Sequence, residues 1–239
     1  MRIAMWSGPR NLSTAMMYSF GARADCAVLD EPFYAAYLAQ TGLDHPMRDE
    51  IIASQPTDQA KVIETLLGPI PGGKAHFYQK HMSQHMIEGI PRDWVHSVAN
   101  VFLIRHPARV AASFSAKYDN PALADIGFVQ QAELYDQLVA AGARPVVVES
   151  SDIRRDPETM LKRLCAAIGL GWDPAMLSWP AGGHPDDGVW AAHWYGAVHQ
   201  STGFAPAEGA LPDLDGPRAV LAEAAMPAYQ HLRAVALSL

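Results

Sequence analysis

The sequence predicts an α/β fold, with helices packed on both faces of a central parallel sheet. Two observations carry that prediction. Short apolar runs without polar alternation recur along the first 150 residues, and stretches with apolar residues at helical spacing separate them. A third is punctuation: 18 Gly and 18 Pro in 239 residues end the runs in turns.

Residues 2–6 form a strand-length apolar run that stops at Ser7-Gly8-Pro9, and residues 12–24 follow as a helix. Residues 27–29 repeat the strand signal and break at Asp30-Glu31-Pro32, after which 34–40 and 58–67 read as helices. A third strand is expected over 76–80. The clearest buried strand is 101–104, which ends at Arg105, with Pro107 placed as the first residue of a helix through about Lys117. Residues 125–141 carry Phe128, Ala132, Tyr135, Leu138 and Val139 on one helical face, and 145–149 form the fifth strand. Asp156-Pro157 starts a helix striped by Leu161, Leu164, Cys165 and Ile168, and Gly169 stops it. Beyond Trp172 the pattern gives way to Gly, Pro, Asp and aromatics, until a last helix from Pro217 that Pro227 should interrupt. The expected organisation is one domain over 1–239: an α/β core to 171, a loop-rich lid or acceptor region over 172–216, and a C-terminal helix over 217–239.

Composition narrows the function. Eighteen Lys and Arg against 25 Asp and Glu leave a net charge of −7, which argues against a generic nucleic-acid surface, and 49% apolar content supplies a sizeable core. Cys26 and Cys165 give no disulfide framework and suit reduced core positions. With no basic and apolar leader at the N-terminus and no run near the ~20 apolar residues that span a bilayer, a soluble, cytoplasmic protein without membrane partners is expected.

The loop Ser7-Gly8-Pro9-Arg10-Asn11-Leu12-Ser13-Thr14 sets a glycine, a cation and two hydroxyls between a strand and a helix. Backbone N–H groups and the positive helix end can receive an anion there, although an ordinary turn with a serine N-cap would use the same residues. The glycine-lysine pair of a Walker A loop is absent. A second cation, Arg105, ends the fourth strand, and Ser113 follows eight residues later on the next helix. In a parallel sheet the carboxyl ends of the first and fourth strands open on one edge, so two anion sites there can share one ligand.

These residues resemble a known family. Pro9-Arg10-Asn11-Leu12-Ser13-Thr14 is similar to the 5′-phosphosulfate loop of the sulfotransferases, usually of the type Pro-Lys-Ser-Gly-Thr-Thr. Arg105, Pro107, Val110 and Ser113 have the spacing of their 3′-phosphate motif, the more specific match. A narrower resemblance is to bacterial sulfotransferase-like proteins often labelled branched-chain aminotransferase-like, through Asp30 to Tyr37, Gln79-Lys80-His81-Met82, Trp194-Tyr195 and Ser201 to Phe204. There are departures. Arg10 replaces the usual lysine, Leu12 a glycine, and the C-terminal Arg-Lys-Gly of many eukaryotic cytosolic members has no counterpart, although Gly188-Val189-Trp190 resembles the nearby Gly-x-Trp segment.

The resemblance implies a P-loop NTPase-like three-layer sandwich and the co-substrate 3′-phosphoadenosine-5′-phosphosulfate, with no metal. Arg10, Asn11, Ser13 and Thr14 would hold the 5′-phosphosulfate, and Arg105 with Ser113 the 3′-phosphate. Lys80 would offset charge on the leaving oxygen, unless it is a solvated strand-end charge. Glu31 is the favoured base for a small-molecule hydroxyl or amine acceptor, since a desolvated carboxylate can titrate near neutrality. His81 competes, one residue early against the cytosolic enzymes' Lys-x-His, and His85 is a third possibility. The His81 and His85 pair also has a helical metal spacing, but lacks the following glutamate and a third ligand. Trp179, Trp190, His193, Trp194, Tyr195, His199 and Phe204 suit either an acceptor pocket or loop packing.

Three rival functions remain open to the sequence. A small-molecule kinase would need a carboxylate for magnesium, for which Asp30 and Glu149 are the candidates. A non-catalytic nucleotide-binding protein would keep the anion sites without turnover. A pyridoxal phosphate enzyme would need one of the five lysines, at 61, 74, 80, 117 and 162, as a Schiff base.

Overall fold

Among the described residues of the computed structural model, 1–116, 118 and 120–239, five parallel strands form one sheet in the order β2-β3-β1-β4-β5. They are β1 (Arg2–Ser7), β2 (Cys26–Asp30), β3 (His76–Met82), β4 (Ala99–Ile104) and β5 (Val146–Glu149). Each runs from or through its expected apolar segment. The chain leaves β1 toward β2 and β3 on one side and crosses back to β4 on the other, so the order reverses between β1 and β4. Ligand crevices form at such a reversal, outside the carboxyl ends of the strands.

The α-helices among the described residues are α1 (Ser13–Gly21), α2 (Tyr34–Thr41), α3 (Arg48–Ser54), α4 (Gln59–Leu67), α5 (Pro107–Phe114), α6 (Phe128–Ala140), α7 (Ser150–Arg155), α8 (Pro157–Ile168), α9 (Ala191–Trp194), α10 (Gly196–His199) and α11 (Gly216–Arg233). Strand pleating divides the core between them. Ile3, Met5, Val101, Leu103 and Val148 pack against α1 and α8 on one face, while Ala4, Trp6, Phe102, Ile104 and Val147 pack against α4, α5, α6 and α11 on the other. The result is three layers. Both cysteines are free and buried in the α1/α8 face or at its edge.

Several boundaries differ from expectation, each for a local reason. Leu12 sits in the left-handed region (φ 65°), so α1 starts at Ser13. Gly127 (φ 68°) separates a 3-10 turn at Leu123–Ile126 from α6, so Asp125 lies outside that helix. The helix from Pro107 ends at Phe114; Lys117, its expected end, lies outside the described residues. Pro227 does not interrupt α11, which runs through it to Arg233. Pro227 and Glu223, whose carbonyl loses its donor, are both exposed, so water can take the missing bond's place. No helix among the described residues is long and apolar enough to cross a membrane.

Candidate functional site

The carboxyl ends of β1, β2, β3 and β4 open on one cavity of about 300 Å³, lined among others by Pro9 to Ala15, Glu31, Lys80 and Arg105. The loop after β1 forms its floor. Arg10 (φ 59°) and Leu12 (φ 65°) both adopt left-handed backbone, a conformation that costs a non-glycine residue on the order of 1 kcal/mol. Leu12 thus keeps the turn for which glycine is the ordinary choice. It is the N-cap of α1 and supplies no side-chain cap, so the serine-capped turn is not what forms; Ser13, Thr14 and Ala15 of the first helical turn line the cavity instead. Asn11 works from beneath, donating from Nδ2 to the Leu103 carbonyl at 2.7 Å. The loop is thereby tied to β4.

Arg10 and Arg105 lie side by side. Arg10 donates from Nε to Ser113 Oγ at 2.9 Å, and Arg105 donates to the Arg10 carbonyl at 2.6 Å. Burial, and after it the neighbouring Arg105 cation, lower the Arg10 pKa. Ser113 thus joins the loop after β1 to the helix after β4, although it is not among the residues that line the cavity. The outer side of Arg105 meets Glu208, at 3.1 Å from Nε.

Lys80 stands at the centre of a buried ionic cluster. It is the register partner of Asp30 on β2, and both side chains point to the α1 face. Its ammonium donates to Asp30 Oδ1 at 2.8 Å, to Glu31 Oε1 at 2.5 Å and to Tyr195 Oη at 2.5 Å. Tyr195 donates to Asp30 Oδ2 at 2.7 Å and accepts from Trp190 Nε1 at 2.9 Å, and the Gly188 N–H reaches Asp30 Oδ2 at 3.2 Å. Glu31 reaches the cluster because its own backbone turns left-handed (φ 39°) just past β2, where Gln55 Nε2 donates to its carbonyl at 3.2 Å. Burial, with Asp30 adding to it against the opposing pull of Lys80, raises the Glu31 pKa. Burial alone would lower that of Lys80, but Asp30 and Glu31 raise it, so the lysine stays charged.

His81 points the other way. It lies on the opposite face of β3, stacked on Trp6 with ring centres 4.5 Å apart, and burial pushes its pKa down to about 3. It does not line the cavity. His85 does, held between Tyr34 and Tyr37 at 4.6 and 4.8 Å, neutral because burial drives its pKa well down. The two histidines are therefore not a pair, and among the described residues no group of three or more His, Cys, Asp or Glu could hold a metal ion.

The aromatic stretch divides in the same manner. Trp179 and Trp190 are buried in packing, whereas Trp194 and Tyr195 line the cavity together with Tyr34, Tyr37, Phe114 and Tyr118. Sequence reasoning missed Asp30 and Tyr195 as partners of Lys80, Gln55 behind them, and Glu208 beside Arg105. Asp30 had a signal in its place at a strand end beside Glu31, and Tyr195 was singled out as an aromatic of the pocket region but not as a partner of Lys80. The pairing itself, across 115 residues, has no local signal.

Comparison with known proteins bears on the family and the fold. The family model described as Sulfotransferase domain matches residues 1–236. Branched-chain-amino-acid aminotransferase-like proteins 1 and 2 of Arabidopsis thaliana are 37% and 36% identical over 236 and 231 residues, 97% of this chain in each case. The chain spans only 41% of the length of either. Among solved structures, the sulfotransferase domain of the Synechococcus PCC 7002 olefin synthase superposes with a TM-score of 0.55 at 20% identity, covering 94% of both chains. A sulfotransferase from Alicyclobacillus acidocaldarius gives 0.56 at 11% identity, covering 97% of this chain and 94% of the other. These share the three-layer, P-loop NTPase-like architecture. By sequence, over residues 1–236, the chain belongs to the sulfotransferase domain family.

Proposed function

We propose that the protein moves a sulfuryl group from 3′-phosphoadenosine-5′-phosphosulfate to a hydroxyl or amine of a small molecule. The observation that carries this reading is convergence: Arg10, Lys80 and Arg105, from three separate segments, line one cavity at the sheet's carboxyl edge, with Glu31 beside them. The residues fit the donor. An uncapped helix start and Arg10 suit a 5′-phosphosulfate, and Arg105, held to the same loop, suits a second phosphate on the same nucleotide.

The donor supplies an activated sulfuryl group and a phosphate leaving group; the chain supplies position, charge and a proton acceptor. The acceptor oxygen or nitrogen bonds to sulfur as the bond from sulfur to the bridging phosphate oxygen breaks. Glu31 takes the acceptor's proton, and its raised pKa is the direction a base working near neutrality needs. Lys80 offsets the charge that builds on the leaving oxygen. The Tyr34, Tyr37, Phe114, Tyr118 and Trp194 rings give the acceptor an apolar wall.

Thermal stabilisation by adenosine 3′,5′-bisphosphate against ATP tests the donor. The bisphosphate should raise Tm more at equal concentration, since a ligand that binds only the native state stabilises it by RT ln(1 + c/Kd) at free concentration c, more for the tighter binder. A larger shift with ATP would favour a phosphoryl transferase. Bisphosphate binding without a sulfated product from any acceptor would leave a nucleotide-binding protein.

A further inference from the structure

Glu208 is held as a ligand would be. Its side chain is only 4% exposed, yet it belongs to a segment without helix or strand, and three arginines from separate elements meet it: Arg105 after β4, Arg109 on α5 and Arg154 on α7. The segment is fastened by the same side chains, with Arg154 Nε donating to the Pro206 carbonyl at 2.8 Å and Arg109 to that of Gly209.

The match between carboxylate and arginines is uneven. Oε1 receives Arg105 through both Nε and a terminal nitrogen and also Arg154 at 2.6 Å. Oε2 lies 3.0 Å from Arg109 Nε but accepts no aligned hydrogen bond. Three guanidinium groups thus surround a single negative charge whose acceptors are crowded on one atom. A phosphomonoester carries up to two charges and three terminal oxygens, enough to give each arginine its own acceptor.

We infer that Glu208 is an internal stand-in: it fills the place among Arg105, Arg109 and Arg154 that a phosphomonoester dianion would take, and the ligand displaces it. Displacement removes the carboxylate from all three arginines and leaves residues 205–209 held to them only through backbone carbonyls, so binding loosens that segment. The identity of the natural ligand, the nucleotide's 3′-phosphate, rests on the donor reading above; the subsite itself does not.

Isothermal titration of wild type, Glu208→Ala and Arg154→Ala with adenosine 3′,5′-bisphosphate and with adenosine 5′-monophosphate tests this, once circular dichroism shows the variants folded. Removing Glu208 should tighten the bisphosphate by about tenfold, and removing Arg154 should weaken it by about tenfold, while the monophosphate, which lacks the 3′ group, changes little in either. Unchanged or weaker bisphosphate binding in Glu208→Ala overturns the stand-in. If the bisphosphate binds neither wild type nor Glu208→Ala, inorganic phosphate decides. Greater thermal stabilisation of Glu208→Ala than of wild type keeps the subsite while the donor reading falls; no difference overturns both.

Discussion

Asp30 and Lys80 face each other across neighbouring parallel strands at 2.8 Å, each side chain only 1% exposed. Burying two ions costs several kcal/mol apiece, and their attraction offsets this only while both are present. Lys80→Met strands Asp30 and Glu31 together as unpaired buried charges and should cost about 3–5 kcal/mol in chemical denaturation. Adding Asp30→Asn to that variant should recover a large part. Losses that simply add would show that the pair is not energetically coupled.

Glu31→Gln keeps the side chain's shape and removes its proton affinity. Turnover should fall at least about a hundredfold while the bisphosphate's Kd stays within about twofold. The wild-type rate should rise with pH through a pKa above the usual carboxylate range, since the base acts when ionised and burial raises it. That limb should vanish in the variant. Full activity in Glu31→Gln removes Glu31 from the chemistry.

Gly8 lies where the loop after β1 passes the 3-10 turn before α6. A Cβ there would stand 2.3 Å from the Ile126 carbonyl oxygen, a backbone atom that cannot swing aside. Gly8→Ala should therefore displace the anion loop, lowering Tm and weakening the bisphosphate more than Glu31→Gln does. Titration of both variants provides the comparison, and an unaltered Kd in Gly8→Ala would show that the turn yields instead.

Glu149, at the end of β5, has its pKa raised from 4.5 to about 7, chiefly by burial. Between those values the native state holds a proton that the unfolded chain has released, so stability should fall as pH rises from about 4.5 to 7 and level off above. The full effect is about 3 kcal/mol. Denaturation midpoints of wild type and Glu149→Gln across that range should diverge, the variant losing this slope; parallel curves would exclude Glu149 as its source.

The strands were legible because buried parallel strands are written as unbroken apolar runs, as in Val101-Phe102-Leu103-Ile104. Helix α3 was not, since Ile51 is its one fully buried residue, nor α7, which follows β5 without a linker and buries Ser150 and Asp152 beside Ile153. Within the site, period-two alternation separates Lys80 from His81, so the strand pattern already sends the two to opposite faces. The linkage of Lys80 to Tyr195 and of Arg105 to Glu208 had no local trace. Both are contacts over a hundred residues apart, set by how the segment after α8 lies across the sheet edge.

The Tyr195 hydroxyl between Asp30 and Lys80 also bears on the order in which the chain can mature. By residue 171 a growing polypeptide has already presented every strand and the whole anion loop. The ionic cluster at the carboxyl ends of β2 and β3 still lacks its lid, because Gly188, Trp190 and Tyr195 have yet to arrive. Until they do, two carboxylates and an ammonium at the sheet edge keep their hydration. Synthesis thus delivers the strands first and encloses Asp30, Glu31 and Lys80 later, so a nascent chain halted before residue 195 should leave those three side chains hydrated.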